Sequence, residues 1–130
     1  ITLPSLRDLD HPHETKVTPR IWLAVEPADM RCGFDRLAEL AASVIGQDPR
    51  TGHLFLFRSP ILGGGDRLKV LYWDRDGFAL WYKRLEEGTF RLPRTEAGAA
   101  SVELRASEFA MLLDGIDLRS VKRLKRFVRA

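Results

Sequence analysis

The sequence predicts an α+β domain: an antiparallel β-meander packed by one or two helices and followed by a basic C-terminal extension. Three observations carry that reading. Residues 66–93, DRLKVLYWDRDGFALWYKRLEEGTFRLP, alternate apolar and polar positions between Gly-containing turns, as three short antiparallel strands would. Residues 34–45 and 109–116 instead repeat their apolar side chains every three or four positions, the helical period. The last sixteen residues carry six Lys/Arg against one acid, a net +5, so the other 114 residues of this +3 chain hold a net −2.

A length of 130 residues with 45% hydrophobic content suffices for one domain with a real core. The expected divisions are an irregular arm at 1–19, a single domain at 20–118 and a basic tail at 119–130. The arm is broken by Pro4, Pro12 and Pro19 and kept polar by Asp8, Asp10, His11, His13 and Glu14. It shows no signal-like apolar stretch, and no run in the chain approaches the roughly 18–20 apolar residues of a membrane helix. The single cysteine, Cys32, has no internal disulfide partner, which fits a reducing cytoplasm, and reads as a small packing residue.

The elements follow in order. Ile21–Val25, after Pro19, suits a first strand. Phe34, Leu37, Leu40, Ala41, Val44 and Ile45 form the apolar stripe of a helix, and Gly46 is placed to end it in a left-handed conformation. At the junction before that helix, Asp29 is suited to cap backbone donors and Arg31 to pair locally or meet a partner. LFLF at 54–57 is apolar on both faces and reads as a buried central strand. RSPILGGGD, 58–66, reads as a hairpin loop; it lacks the Gly-Lys-Ser/Thr ending of a phosphate-binding loop. After an Ala/Gly linker at 94–101 come a brief strand, Val102–Leu104, and a short helix with Phe109, Leu112, Leu113 and Ile116 on one face. Val121, Leu124 and Phe127 or Val128 continue the helical spacing into the tail.

The ribbon invites a register. A three-residue loop around Asp76-Gly77 closes the hairpin at Asp74 and Phe78, placing Trp73 opposite Ala79, Leu71 opposite Trp81 and Lys69 opposite Lys83. The second turn, Glu86-Glu87-Gly88, then sets Lys83 opposite Arg91. One face would be core, with Leu68, Val70, Tyr72, Leu80, Tyr82, Phe90 and Leu92; the other would show Trp73 and Trp81 beside a cationic row of Lys69, Lys83 and Arg91. Such a row repels itself unless an anion bridges it, and exposed indoles beside it would stack on bases. The competing reading buries both indoles under a helix while the lysines reach outward along their stems. A two-residue loop would exchange the faces. With Arg67 and the tail cations Arg119, Lys122, Arg123, Lys125, Arg126 and Arg129, the row makes up the candidate nucleic-acid-binding set; the bland account of the tail is a helix end whose cations favour its dipole.

Catalytic or metal chemistry finds little support. His11 and His13 beside Asp10 have no matching ligand cluster, and no Ser/His/Asp or Cys/His set suggests itself. Asp74, Asp76, Glu86 and Glu87 are the only carboxylates that suggest a metal-dependent nuclease, and all four sit in tight turns that favour them for local reasons. No cofactor is expected.

Four segments carry a resemblance: IWLAVEPADMRCGFDRLAELA, GHLFLF, DRLKVLYWDRDGFALWYKRLEEGTFRLP and EFAMLLDGIDLRSVKR. Together they closely resemble the second-open-reading-frame (TnpB-type) accessory proteins of the bacterial insertion-sequence family numbered sixty-six, over about residues 20–123. The matching motif residues are Asp29, Met30, Arg31, Phe34, Asp35, Trp73, Asp74, Gly77, Lys83, Arg84 and Leu85. The resemblance implies a small cytoplasmic bacterial protein that assists DNA transposition, with a cognate transposase supplying the chemistry and DNA or the transposase as partner. A pure protein–protein interaction module is the alternative. The chain departs from the family in its glycine-rich SPILGGG junction and in Arg105, where a helix-capping Thr is usual.

Overall fold

The computed structural model describes residues 18–93 and 95–114. Five strands form one sheet: β1 (Ile21–Ala24), β2 (Leu54–Arg58), β3 (Arg67–Asp74), β4 (Gly77–Arg84) and β5 (Ser101–Leu104), in the order β4-β3-β2-β1-β5. The hairpins β2–β3 and β3–β4 make the expected antiparallel meander, and β5 adds antiparallel to β1. β1 and β2 run parallel, so the chain crosses between them through helix α1 (Phe34–Leu40). Helix α2 (Ala106–Leu113) follows β5. The arm up to residue 17 and the whole basic tail lie outside the described residues.

Each face of the sheet buries its own apolar layer. Ile21, Leu23, Leu54, Leu56, Leu68, Val70 and Tyr72 meet Phe109 and Leu112 of α2 on one side. Phe55, Phe57 and Leu71 meet Leu37 of α1 and Ala41 on the other. LFLF is therefore apolar at every position because β2 is the central strand with a helix layer over both faces, and all five of its residues are buried.

The first helix departs from a uniform stripe. After Leu40 the chain widens into a π-helical turn, Ala41–Ile45, and Gly46 closes it at φ 81°, as its position predicts. The wider turn changes the angular spacing of the side chains. Leu37 and Ala41 stay fully covered, while Phe34 and Val44 are 47% and 38% exposed, contrary to an all-core stripe. At α2, Glu108 accepts the Arg105 N–H at 2.8 Å, which is half of a capping box. The guanidinium has no acceptor with which to complete it.

The ribbon 66–93 has two strands, and its register differs from the three-residue-loop reading. Asp74 pairs with Gly77 across a two-residue connection, giving Tyr72↔Ala79, Val70↔Trp81, Lys69↔Tyr82, Leu68↔Lys83 and Arg67↔Arg84. The connection is tightened at Arg75, φ 63°, where the Asp76 N–H donates to the Asp74 carbonyl at 2.6 Å, a γ-turn. That one-residue shift turns each β4 side chain to the other face. Trp81 joins the α2 layer and Trp73 the α1 face, so the indoles do not share a surface. The third strand does not form. Past Arg84 the chain turns in, with the Leu85 N–H on the Asp66 carbonyl and the Phe90 N–H on the Gly65 carbonyl at 2.7 Å, and Phe90 is fully buried against the α2 layer. Arg91 is thus outside the sheet, and the row Lys69–Lys83–Arg91 does not exist as a cross-strand row.

Candidate functional site

The two ribbon lysines are committed internally. Lys69 is 7% exposed, and its Nζ donates to the carbonyls of Met30 at 2.7 Å and Cys32 at 2.8 Å while lying 4.8 Å from the centre of the Tyr82 ring. It ties the connection between β1 and α1 to the sheet. Arg58 does the same further back: its Nη2 reaches the Val25 carbonyl at 2.8 Å, and its own carbonyl accepts the Ala28 N–H at 2.9 Å. Lys83 Nζ donates to the carbonyl of Leu113, in the last turn of α2, where a cation also meets the negative end of the helix dipole. The indoles are engaged as well. Trp73 Nε1 donates to the Arg75 carbonyl at 3.1 Å, its ring meets Phe78 edge-on at 5.0 Å, and Arg50 lies 5.7 Å from its centroid.

The pinned connection presents the motif residues. Asp29 accepts the Arg31 backbone N–H at 2.8 Å and grips the guanidinium from Nη2 at 2.7 Å, so it serves backbone and side chain together, as its position suggests. The Arg31 hydrogen bonds, aided by its charge, hold the Asp29 carboxyl down at about 2. Met30 supplies a carbonyl to Lys69, Asp35 sits in the first turn of α1, Leu85 packs on the α2 layer, and Phe34 is half exposed.

What remains open to solvent is an arginine cluster at the far end of the hairpin. Arg67 and Arg84 are cross-strand partners on the α1 face, each with a distant acid among the described residues: Asp66 at 3.9 Å from Arg67, and Glu86 at 3.7 Å from Arg84. Tyr82, half exposed, stands next to them, and Arg67, Tyr82, Arg84 and Glu86 line a shallow depression of about 500 Å³. A second depression of about 370 Å³ lies between Arg31, Asp29 and the 59–63 loop, and Arg67 lines this one too. Arg67 therefore joins the ribbon end to the Asp29–Arg31 turn. The loop beside it ends at Gly65, whose φ is 62° and where a Cβ would meet Ile61 Cδ1 at 2.9 Å, so glycine is required there; Ile61 and Leu62 are 50% and 101% exposed.

The sequence-predicted set is thus divided. Arg67 is at the cluster, Lys69, Lys83, Trp73 and Trp81 serve the fold, Arg91 is exposed outside the sheet, and the tail cations lie outside the described residues. Tyr82, Arg84 and Arg31 form the rest of the surface. Tyr82, with Arg84 at the end of the same face, was assigned to the core because the register was one residue off. Arg31 was expected to pair locally or meet a partner and was not counted in the binding set. Among the described residues no group of three or more His, Cys, Asp or Glu side chains could hold a metal ion, and Asp74, Asp76, Glu86 and Glu87 make no such group. No described helix is long and apolar enough to cross a membrane.

Fold and surface together define a small α+β domain, one sheet between two helical layers, whose open end is lined by arginines. Residues 19–123 match the model of the family described as IS66 Orf2 like protein, and the chain belongs to that family. Membership ties it to the accessory products of insertion sequences. It is 40% identical over 100 residues to the uncharacterized protein y4hO of Sinorhizobium fredii, covering 77% of this chain and 83% of that one. It is 38% identical over 104 residues to the uncharacterized protein y4jC of the same organism, covering 80% and 85%. No solved structure matches it significantly.

Proposed function

We propose that this chain is a non-catalytic accessory protein of DNA transposition, which binds nucleic acid in the bacterial cytoplasm through the arginine end of its β3–β4 hairpin and its basic tail and there meets the cognate transposase. The observation that carries this reading is the direct pairing of Arg67 with Arg84 beside the exposed Tyr82 ring. Like charges on paired positions of neighbouring strands repel, and acids as far off as 3.7 and 3.9 Å, beside guanidiniums open to solvent, relieve little of that. A phosphate bridging the two guanidiniums would satisfy both, and Tyr82 offers a stacking face for an unpaired base.

Binding of transposon-end DNA, followed by fluorescence anisotropy across a salt series, tests this. Each phosphate contact contributes about −0.9 to the slope of log K against log salt on duplex DNA. Arg67→Ala with Arg84→Ala should therefore flatten the slope by about 2, and removal of residues 119–130 should flatten it further. Binding that ignores salt would defeat the proposal. The exposed Ile61 and Leu62 favour a second reading, a protein-binding module that docks on the transposase without touching DNA. Pull-down of the transposase with and without end DNA separates the two, because only the first reading makes recovery depend on DNA.

A further inference from the structure

Strand β4 is an edge strand of unusual openness. It runs eight residues, Gly77–Arg84, in unbroken register with β3, with no proline and no bulge. The opposite edge, β5, has four residues, a short edge of the kind that resists further pairing. A lysine pointing out from an edge strand is a common deterrent to association, but Lys83 is folded onto α2.

The hydrogen-bond phase of the hairpin fixes which groups are free. Leu85 donates to Asp66 beyond the last paired residues, so the alternation places the N–H and C=O of Gly77, Ala79, Trp81 and Lys83 toward β3. Those of Phe78, Leu80, Tyr82 and Arg84 point away, and no described backbone group receives them. A regular antiparallel partner must therefore pair even-numbered positions with even-numbered positions.

We infer that the occupant of this edge is a second copy of the chain, whose β4 pairs antiparallel about a two-fold axis through Leu80 and joins two five-stranded sheets into one of ten strands. The sequence GFALWYKR is self-complementary in that register. Leu80 faces Leu80 of the partner, Tyr82 faces Phe78, Ala79 faces Trp81, and the basic Arg84 at one end faces the acidic Asp76 in the turn at the other. Shifting the register by one even step toward the strand end sets Arg84 against Phe78 and Asp76 against Glu86, losing the opposite-charge pair at both ends. The two-fold repeats the Asp76–Arg84 pairing twice, which is why the dimer centred on Leu80 is selected. The dimer shares Arg84 with the arginine cluster, so it is read by sedimentation without DNA, where its failure is distinct from a failure of the DNA-binding reading.

Sedimentation velocity on the full chain, with amide hydrogen exchange, tests it. A dimer is expected in the micromolar range, with the amides of Phe78, Leu80 and Tyr82 slow to exchange in the dimer and fast after dilution, while those of Ala79 and Trp81 stay slow throughout. Asp76→Arg and Arg84→Asp should each weaken the dimer about tenfold, because each variant sets like charges together at two symmetric places. The double variant, with the charges exchanged, should restore it. Tyr82→Pro, which removes an outward N–H at a half-exposed position and leaves the β3 ladder intact, should also abolish the dimer. A monomer throughout the micromolar range would overturn the inference. So would a dimer indifferent to Tyr82→Pro, or one weakened by both charge variants and not restored by the double. Protection of the edge amides only on adding transposase would assign the edge to that protein instead and overturn the second copy.

Discussion

Replacing Lys69 by methionine separates a structural cation from a ligand-binding one. The stem of Lys69 is buried and its ammonium makes two hydrogen bonds, at 2.7 and 2.8 Å, to the carbonyls of Met30 and Cys32. Hydrogen bonds to a charged donor contribute roughly 1.5–3 kcal/mol each. Methionine keeps most of the packing volume, and loss of a desolvated charge returns part of the cost, so the expected destabilisation is about 3 kcal/mol. With a urea m-value of about 2 kcal/mol/M, the unfolding midpoint falls by roughly 1.5 M. The melting temperature falls by roughly 10 °C. The turn that holds Asp29 and Arg31 should loosen with it, seen as faster exchange of the Cys32 amide, which is bonded to the Asp29 carbonyl at 3.0 Å. The salt slope of DNA binding should stay as in the parent protein. A change below about 0.5 kcal/mol, together with a DNA slope flattened by about 1, would refute the structural assignment and return Lys69 to the binding surface.

Two further outcomes follow from the same geometry. Arg75 holds φ 63°, a conformation that costs a side-chain-bearing residue roughly 1–2 kcal/mol, so Arg75→Gly should be more stable than Arg75→Ala by about 0.5–1 kcal/mol in urea unfolding, both variants keeping the carbonyl that Trp73 Nε1 uses. His53 is buried and accepts the Arg20 N–H on Nδ1 at 2.9 Å; burial, and next the Arg20 charge, lower its pKa from 6.5. Below pH 6.5 the unfolded chain therefore takes up this proton before the folded one, and stability falls with pH until the folded imidazole also titrates. His53→Asn should remove that step from a urea-midpoint profile. The Asp29 contribution is separate, being present above the ordinary carboxylate range and lost only as pH falls toward about 2.

Much of this fold was legible because local pattern and tertiary role agree. LFLF announces a strand covered on both faces, Gly46 ends its helix as its position requires, and Asp29 caps the turn that it begins. The register was not legible because Asp76-Gly77 signals a hairpin without fixing the loop length, and Arg75, an unusual residue at positive φ, closes the shorter one. The parallel pairing of β1 and β2 leaves no local mark either: it depends on α1 crossing the sheet, a relation between distant segments. The exposure of Val44 was hidden by the π-turn, since periodicity presumes a constant helical pitch, whereas Phe34 is exposed as the first residue of α1, ahead of that turn.

The division of cations along the hairpin has a physical basis that bears on function. Lysine ends in a compact ammonium with three donors, suited to gathering carbonyls, and both ribbon lysines do so, at Met30 and Cys32 and at Leu113. Arginine presents a flat fork that matches two oxygens of a carboxylate or phosphate, and the exposed ribbon cations at paired positions, Arg67 and Arg84, are arginines. The idea of a basic row on this ribbon thus survives in altered form. A like-charged cross-strand pair exists, one step further along the strands than the sequence suggested, and it consists of the residue type fitted to an anion. Lys69, by holding the Asp29–Arg31 turn against the sheet, fixes one wall of the depression that Arg67 lines, while Lys83 secures the end of α2 on the opposite face. Lysine substituted at Arg67 and Arg84 would keep the charge and lose the fork, so on the proposed reading the double lysine variant should keep the salt slope of DNA binding and lose affinity.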